Sequence, residues 1–117
     1  MADPCRGEIW LVDLGTGRGH EQAGQRPALV VSDDAFNAGL SGLIMVVPLT
    51  SKVTKSKNIP AHIPIASSEG GLRTASVILC DQLRTISRYR LGSKAWGAVM
   101  PSTMTRVDQV LRILLRL

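Results

Sequence analysis

The hydrophobic residues of this chain gather in short runs that are bounded by glycine, serine, aspartate or asparagine. This pattern is typical of β-strands joined by turns. The runs are rich in valine, isoleucine and leucine, which favour strands, and they cover residues 8–13, 27–31, 43–49, 61–65 and 77–80. Short strands at this spacing predict a small barrel or sandwich.

Four prolines lie in or beside these runs, at Pro27, Pro48, Pro60 and Pro64. Proline has no backbone N–H and cannot donate to a strand ladder. We therefore expect these residues at strand ends, at sheet edges or at bulges. Short, bent strands satisfy that requirement.

A different period appears near the C-terminal end of the chain. Apolar residues recur there at spacings of three and four, which places them on one face of a helix: Val107, Val110, Leu111 and Leu114. Ser102 or Thr103 is expected to cap this amphipathic helix after Pro101. Arg112 and Arg116 lie where positive charge complements the helix dipole.

A short helical turn is expected to begin after Asp33 or Asp34 and to end by Gly39. An aspartate at this position accepts hydrogen bonds from the free amides of the first turn. That structural role makes the adjacent carboxylates a poor candidate for a catalytic pair.

The chain has 117 residues, which is the size of one domain, so we expect a single domain over residues 1–117. A formal charge of +5 favours a polyanion or an acidic protein as partner. No run approaches the roughly 20 apolar residues that span a bilayer, and residues 1–7 lack the apolar core of a secretion signal. A cytoplasmic protein without membrane association is expected.

The two cysteines, Cys5 and Cys80, show no metal-ligand spacing. Cys80 ends an apolar run and is expected to be a small buried hydrophobe, not a nucleophile. HExxH and calcium-loop patterns are absent from the sequence, and the glycines of residues 15–24 are not followed by GK[ST]. The sequence therefore predicts chemistry without a metal or another cofactor.

The polar segment of residues 15–26 is too long for a tight hairpin, and loops of this length in a compact domain are usually functional. It holds His20, Glu21 and Arg26. A second polar stretch, residues 50–58, interleaves lysines with hydroxyl side chains, which suit phosphate oxygens. A solvated hairpin tip explains that stretch equally well.

Four segments together resemble the MazF/PemK family of toxins, with agreement in both order and spacing: residues 6–13 (RGEIWLVD), 19–27 (GHEQAGQRP), 47–51 (VPLTS) and 76–86 (SVILCDQLRTI). The resemblance implies a mainly β (α+β) fold, a small SH3-like or CcdB-like barrel with a C-terminal amphipathic helix. It also implies a homodimer that cleaves single-stranded RNA sequence-specifically and is inhibited by a cognate antitoxin protein. Messenger RNA is the favoured substrate over ribosomal or transfer RNA.

The resemblance further implies that Arg26 and Thr50 are the catalytic pair and that Glu21 is a supporting carboxylate. Substrate contacts are expected from a second group of residues: His20, Gln25, Ser51, Lys52, Gln82 and Arg84. Metal-free RNA cleavage needs an activated 2'-hydroxyl, stabilised phosphorane oxygens and a protonated 5'-oxygen. The planar donors of Arg26 suit the phosphorane.

Proton transfer is harder to assign, because an arginine side chain keeps its proton at neutral pH and is therefore a poor acid or base there. Glu21 could act as the base or orient Arg26 through a salt bridge, and the second role is favoured. His20 could share the proton transfer. Two other residues receive ordinary interpretations: His62 as a strand residue facing solvent, and Asp81 as an anchor for a loop or a subunit contact.

Two other classes of protein remain open. A CcdB-like toxin would bind a DNA topoisomerase without catalysis, since one barrel serves both functions. A nonspecific RNA-binding barrel would leave its RNA intact. The pair of Arg26 and Thr50 discriminates between the classes, because only a ribonuclease requires it.

Overall fold

The structure is a computed structural model that describes residues 3–56 and 58–117. Within these residues it contains seven strands and two α-helices. The strands are β1 (Glu8–Asp13), β2 (Gln25–Val30), β3 (Leu43–Thr50), β4 (His62–Ile65), β5 (Ser76–Leu79), β6 (Arg84–Ser87) and β7 (Leu91–Ala98); the helices are α1 (Asp34–Asn37) and α2 (Pro101–Leu115). The predicted mainly β architecture with a C-terminal helix is confirmed.

The strands form one antiparallel sheet in the order β4-β5-β3-β2-β1-β7, with β6 also paired to β3. Strand β3 organises the sheet because its two halves have different neighbours. Residues Leu43 to Val46 pair with β6, whereas Leu49 and Thr50 pair with β5. The sheet therefore divides at β3 into an open, barrel-like arrangement.

Pro48 lies inside β3, opposite Ala28 of β2, so the expectation that it would occupy a strand end or a sheet edge is wrong. The missing N–H is tolerated because Val46 is the last β3 residue paired with β6 and Leu49 is the first paired with β5. Pro64 meets the expectation, since its strand β4 is the outermost strand of the sheet.

The central strands are apolar throughout because both faces of the sheet are covered. Neighbouring residues of a strand alternate between two hydrophobic core clusters, one on each face of the sheet. Leu29 belongs to the first cluster and Val30 to the second. Helix α2 covers the first cluster through Val107, which is fully buried, while Trp10 belongs to the second. Burial on both faces replaces the polar–apolar alternation of a half-exposed strand.

Strands β6 and β7 were not predicted. Strand β7 reads LGSKAWGA and lacks a β-branched run. Its Gly97 is required by close packing, since a Cβ there would lie 2.8 Å from the carbonyl carbon of Gly70. A Cβ on Gly71 would overlap the carbonyl oxygen of Trp96. The turn Glu69–Gly71 therefore packs directly on the β7 backbone.

The predicted cap of α2 by Ser102 or Thr103 is wrong. Met100 is the N-cap residue and makes no side-chain cap bond. The carboxylate of Glu69 serves instead, because its Oε2 accepts from the Met100 amide at 3.0 Å and from the Thr103 hydroxyl at 2.6 Å. The expected cap of α1 is confirmed, as Asp33 accepts from the Ala35 amide at 3.0 Å. In the described residues, neither helix is long and apolar enough to span a membrane.

Candidate active site

The polar segment between β1 and β2 is a folded loop. Backbone hydrogen bonds close its base, from Leu14 N to Gly24 O at 3.0 Å and from Gly24 N to Gly15 O at 2.8 Å. Within the loop, Glu21 Oε1 accepts from the Arg18 amide at 2.7 Å. The loop therefore holds the Glu21 carboxylate in a defined place.

Two predicted substrate contacts hold this loop from outside. The side-chain amide of Gln82 donates from Nε2 to the His20 carbonyl at 2.9 Å and accepts at Oε1 from the Gln22 amide at 2.8 Å. Arg84 donates from Nη1 to the Leu14 carbonyl at 2.9 Å. Gln82 and Arg84 thus position the loop between β1 and β2.

An open cleft of about 620 Å³ lies between the loop and the segment that joins β5 to β6. Four of the predicted site residues line this cleft, namely His20, Glu21, Gln82 and Arg84. The other lining residues are Thr16, Gln22, Asp81 and Leu83. The structure therefore brings together residues from two segments that are about 60 positions apart, as the Gln22–Gln82 separation of 60 shows.

The predicted catalytic pair lies on the adjacent strands β2 and β3. The pairing of β2 with β3 ends at Ala28 and Pro48, and Arg26 and Thr50 each lie two residues beyond it. An antiparallel register continued by two residues would set these residues opposite each other, with neighbouring side chains on one face. Neither residue is among those lining the 620 Å³ cleft.

The local surroundings of Arg26 and Thr50 leave polar groups for a ligand. Arg26 is half-buried and donates from Nε to the Ala23 carbonyl at 3.1 Å, which leaves the two Nη groups of the fork. Thr50 is buried, and its Oγ1 accepts from the Lys52 amide at 3.2 Å. A hydroxyl that accepts one bond still has its own hydrogen to donate.

The remaining predicted contacts are more dispersed. Ser51 and Lys52 are exposed immediately after Thr50. Gln25 lines a second cleft, of about 440 Å³, together with Tyr89 and Arg90. Of the lysine-rich stretch of residues 50–58, Lys57 lies outside the described residues.

The expected salt bridge between Glu21 and Arg26 is wrong for the described part of the chain. The ion pairs found there are Arg6–Asp108, His62–Asp81 and Arg88–Asp3. The Glu21 carboxylate is instead occupied at Oε1 by the Arg18 amide. This arrangement stabilises the loop and leaves Oε2 as the second carboxylate oxygen.

The interpretation of His62 as a solvent-facing residue is also wrong. Its side chain is only 10% exposed, and Nε2 lies 2.9 Å from Oδ1 of Asp81, which lines the cleft. The alternating pattern of residues 61–65 marks position 62 as outward-facing. This local pattern carries no information about the segment after β5, which supplies the partner Asp81. A pair of residues 19 positions apart has no local signature.

Cys80 is buried, as predicted. Burial and the neighbouring Asp81 charge raise the pKa of its thiol to about 11. A protonated thiol is a poor nucleophile near neutral pH, which supports its interpretation as a core residue. Among the described residues, no group of three or more histidine, cysteine or acidic side chains is placed to hold a metal ion.

These features define a small barrel-like α+β protein with an arginine and a threonine on adjacent strands and with an open polar cleft. Residues 5–115 match the family described as "PemK-like, MazF-like toxin of type II toxin-antitoxin system". The sequence is 41% identical over 106 residues to the endoribonuclease PemK of Escherichia coli, covering 91% of this chain and 77% of PemK.

Solved structures agree with this match. The crystal structure of MazF from Deinococcus radiodurans has a TM-score of 0.83 and 29% identity over all of both chains. A mycobacterial endoribonuclease in complex with its cognate antitoxin has a TM-score of 0.77 and 28% identity, covering 97% of this chain and 96% of that one. The chain belongs to the PemK-like, MazF-like family of toxins of type II toxin–antitoxin systems, as the resemblance of its motifs predicts.

Proposed function

We propose that this protein is an endoribonuclease toxin that cleaves single-stranded RNA at specific sequences and is inhibited by a cognate antitoxin. The observation that supports the proposal is the pairing of β2 with β3, because Arg26 and Thr50 each lie two residues beyond the end of that pairing, at Ala28 and Pro48. The relatives support it, since PemK of Escherichia coli is an endoribonuclease and the mycobacterial relative is an endoribonuclease bound to its antitoxin. A topoisomerase-binding toxin is therefore not favoured.

In the proposed reaction, the 2'-oxygen of the RNA attacks the adjacent phosphorus and the bond from phosphorus to the 5'-oxygen breaks. The products are a 2',3'-cyclic phosphate and a 5'-hydroxyl, so one proton leaves the 2'-hydroxyl and one reaches the leaving oxygen. The Nη groups of Arg26, which have no hydrogen-bond partner among the described residues, stabilise the phosphorane oxygens. The Thr50 hydroxyl donates a further hydrogen bond to them.

Glu21 is the proposed acceptor of the 2'-hydroxyl proton. With Oε1 held by the Arg18 amide at 2.7 Å, Oε2 is the oxygen that can serve as a general base. His20 is adjacent in sequence, exposed, and lines the same cleft. It is the candidate donor of a proton to the 5'-oxygen, since a protonated imidazole can act as a general acid.

The other proposed substrate contacts guide the RNA backbone. Ser51 and Lys52 extend the surface beyond Thr50 and suit phosphate oxygens, while Gln25 lies next to Arg26 on β2. Gln82 and Arg84 contribute through the loop that they hold. The net charge of +5 attracts a polyanion over longer distances.

We further propose that the toxin is a single-domain protein that acts as a homodimer in the cytoplasm, with messenger RNA as the substrate. The last turn of α2 and the residues after it support the dimer, because they expose apolar side chains that a second subunit would cover. Ile113 is 79% exposed and Leu117 is 85% exposed. Contiguous exposed apolar groups of this kind mark interaction surfaces.

The test is incubation of the purified protein with a long single-stranded RNA in excess EDTA, followed by mapping of the fragment ends. Discrete cuts with 2',3'-cyclic phosphate ends would support the proposal and identify the recognised sequence. A substrate with a 2'-deoxy sugar at the mapped site should resist cleavage. The matched control is Arg26→Ala, prepared identically, which excludes a contaminating nuclease. Intact RNA would contradict the proposal.

A further inference from the structure

The His62–Asp81 pair connects strand β4 to the wall of the cleft. His62 lies on β4 opposite Leu79 of β5, and Asp81 lies in the turn that follows β5. The pair brings His62 Nε2 within 2.9 Å of Asp81 Oδ1. The Asp81 side chain is 41% exposed toward the cleft, whereas the His62 side chain is only 10% exposed.

The hydrogen bonding of His62 indicates which of its nitrogens carries the proton. An ionised carboxylate only accepts hydrogen bonds, so Nε2 of His62 is the donor to Asp81. In the described residues, Nδ1 is buried and has no hydrogen-bond partner. A neutral imidazole protonated at Nε2 leaves only a lone pair at that buried position, whereas a protonated Nδ1 would bury an N–H without an acceptor.

The turn that carries Asp81 also carries Gln82, which holds the loop between β1 and β2. A second hydrogen bond joins the turn Cys80–Gln82 to the residue just before β4, because the Cys80 amide donates to the Ala61 carbonyl at 3.2 Å. Its Gln82 side chain then bonds the loop at His20 and Gln22. One series of contacts therefore runs from β4 through the turn to the loop.

We propose that His62 is a positioning residue of the RNA cleft: by holding Asp81 it fixes the turn whose Gln82 clamps the loop bearing His20 and Glu21. The inference rests on the proposed ribonuclease function for its effect on catalysis. The positional effect itself is independent of that function. Because misplacement of reacting groups by about 1 Å can cost a large factor in rate, a loosened turn would lower kcat more than it raises KM.

The test compares His62→Leu, which removes the donor and keeps an apolar side chain, with His62→Gln, whose amide can still donate to Asp81. Arg88→Leu is the matched control, because it breaks the Arg88–Asp3 ion pair at 2.7 Å without touching the cleft. Two quantities are measured: kcat and KM on an RNA oligonucleotide, and hydrogen exchange of the Gln22 backbone amide, which reports directly on the Gln82 clamp.

We expect His62→Leu to lower kcat by about tenfold or more and to accelerate exchange of the Gln22 amide. His62→Gln should restore most of the kcat and most of the slow exchange of the Gln22 amide. Arg88→Leu should change neither of these two quantities. Unchanged exchange in His62→Leu would overturn the proposal. Faster exchange with unchanged kcat would also overturn it, because the contact would then be structural only.

Asp81→Ala tests the same contact from the other side, at a more exposed position that is less demanding for folding. It should accelerate hydrogen exchange of the Gln22 amide as His62→Leu does. An exchange rate equal to that of the wild type would contradict the proposal that Asp81 holds the turn that carries Gln82. If the wild-type protein cuts no RNA, the proposed function fails and the catalytic role of His62 fails with it. The exchange data would still show whether the clamp exists.

Discussion

The side chain of Gln82 bonds the backbone of Gln22 at 2.8 Å, across a sequence separation of 60 residues. The same amide reaches the neighbouring His20 carbonyl at 2.9 Å. A glutamine side chain thereby supplies both a donor and an acceptor to one loop. This side-chain amide therefore connects the two walls of the cleft.

Replacing Gln82 with alanine should therefore reduce kcat/KM for RNA by about tenfold, because the loop that carries Glu21 is no longer clamped. The free energy of unfolding should fall by only about 1 to 2 kcal/mol, the usual size of one or two lost hydrogen bonds. Steady-state cleavage and urea denaturation measure the two effects. The control is Gln82→Glu, which keeps the acceptor for Gln22 and loses the donor to His20, so it should be intermediate. Full activity in Gln82→Ala would exclude the clamp as a requirement for cleavage.

Arg26→Ala and Thr50→Ala should each reduce cleavage by about 100-fold or more, the typical effect of removing a positioned transition-state donor. Affinity for a non-cleavable 2'-deoxy substrate should change much less, which fluorescence anisotropy can measure. Thr50→Ser retains the hydroxyl and is the matched control, with activity expected near wild type. Retention of activity in both alanine variants would refute the assigned pair.

Glu69→Ala should lower the free energy of unfolding by about 2 kcal/mol, because two hydrogen bonds to one carboxylate anchor the start of α2. Thr103→Val removes only one of these bonds and should cost about 1 kcal/mol. Urea denaturation of both variants measures the difference. Neither residue lines the cleft, so RNA cleavage below the unfolding transition should be unchanged. Equal stability of wild type and Glu69→Ala would show that the helix needs no such anchor.

The Cys80 thiol should make stability depend on pH in alkaline solution. Its pKa is raised from 9.0 to about 11 in the folded protein, so the folded state retains the proton that the unfolded chain loses. The contribution of the protonated Cys80 thiol to the free energy of unfolding is fully present below pH 9 and is lost as the pH rises from 9 through 11. Cys80→Ala removes this group, and the difference in unfolding free energy between wild type and variant should shrink over that interval. A difference independent of pH would contradict the raised pKa.

The elements whose signals are local can be predicted from the amino-acid sequence alone. Strand β1 was predicted with the bounds that the structure shows, and α2 followed from the three-and-four spacing of apolar residues. The cap at Asp33 was also local, since it bonds an amide two residues away. The order and spacing of the motifs sufficed to identify the family. They also pointed to residues that line the cleft, such as Glu21 and Gln82.

Contacts between distant segments, in contrast, are known only from the folded chain. Strand β7 has a sequence of small and polar residues, and it is a strand because it pairs with β1 and receives the Glu69–Gly71 turn on its backbone. The helix cap at Glu69 and the His62–Asp81 pair join residues 34 and 19 positions apart. Such pairs depend on strand order and register, which hydrophobic periodicity does not encode, because it reports only which side of its own strand or helix a residue occupies.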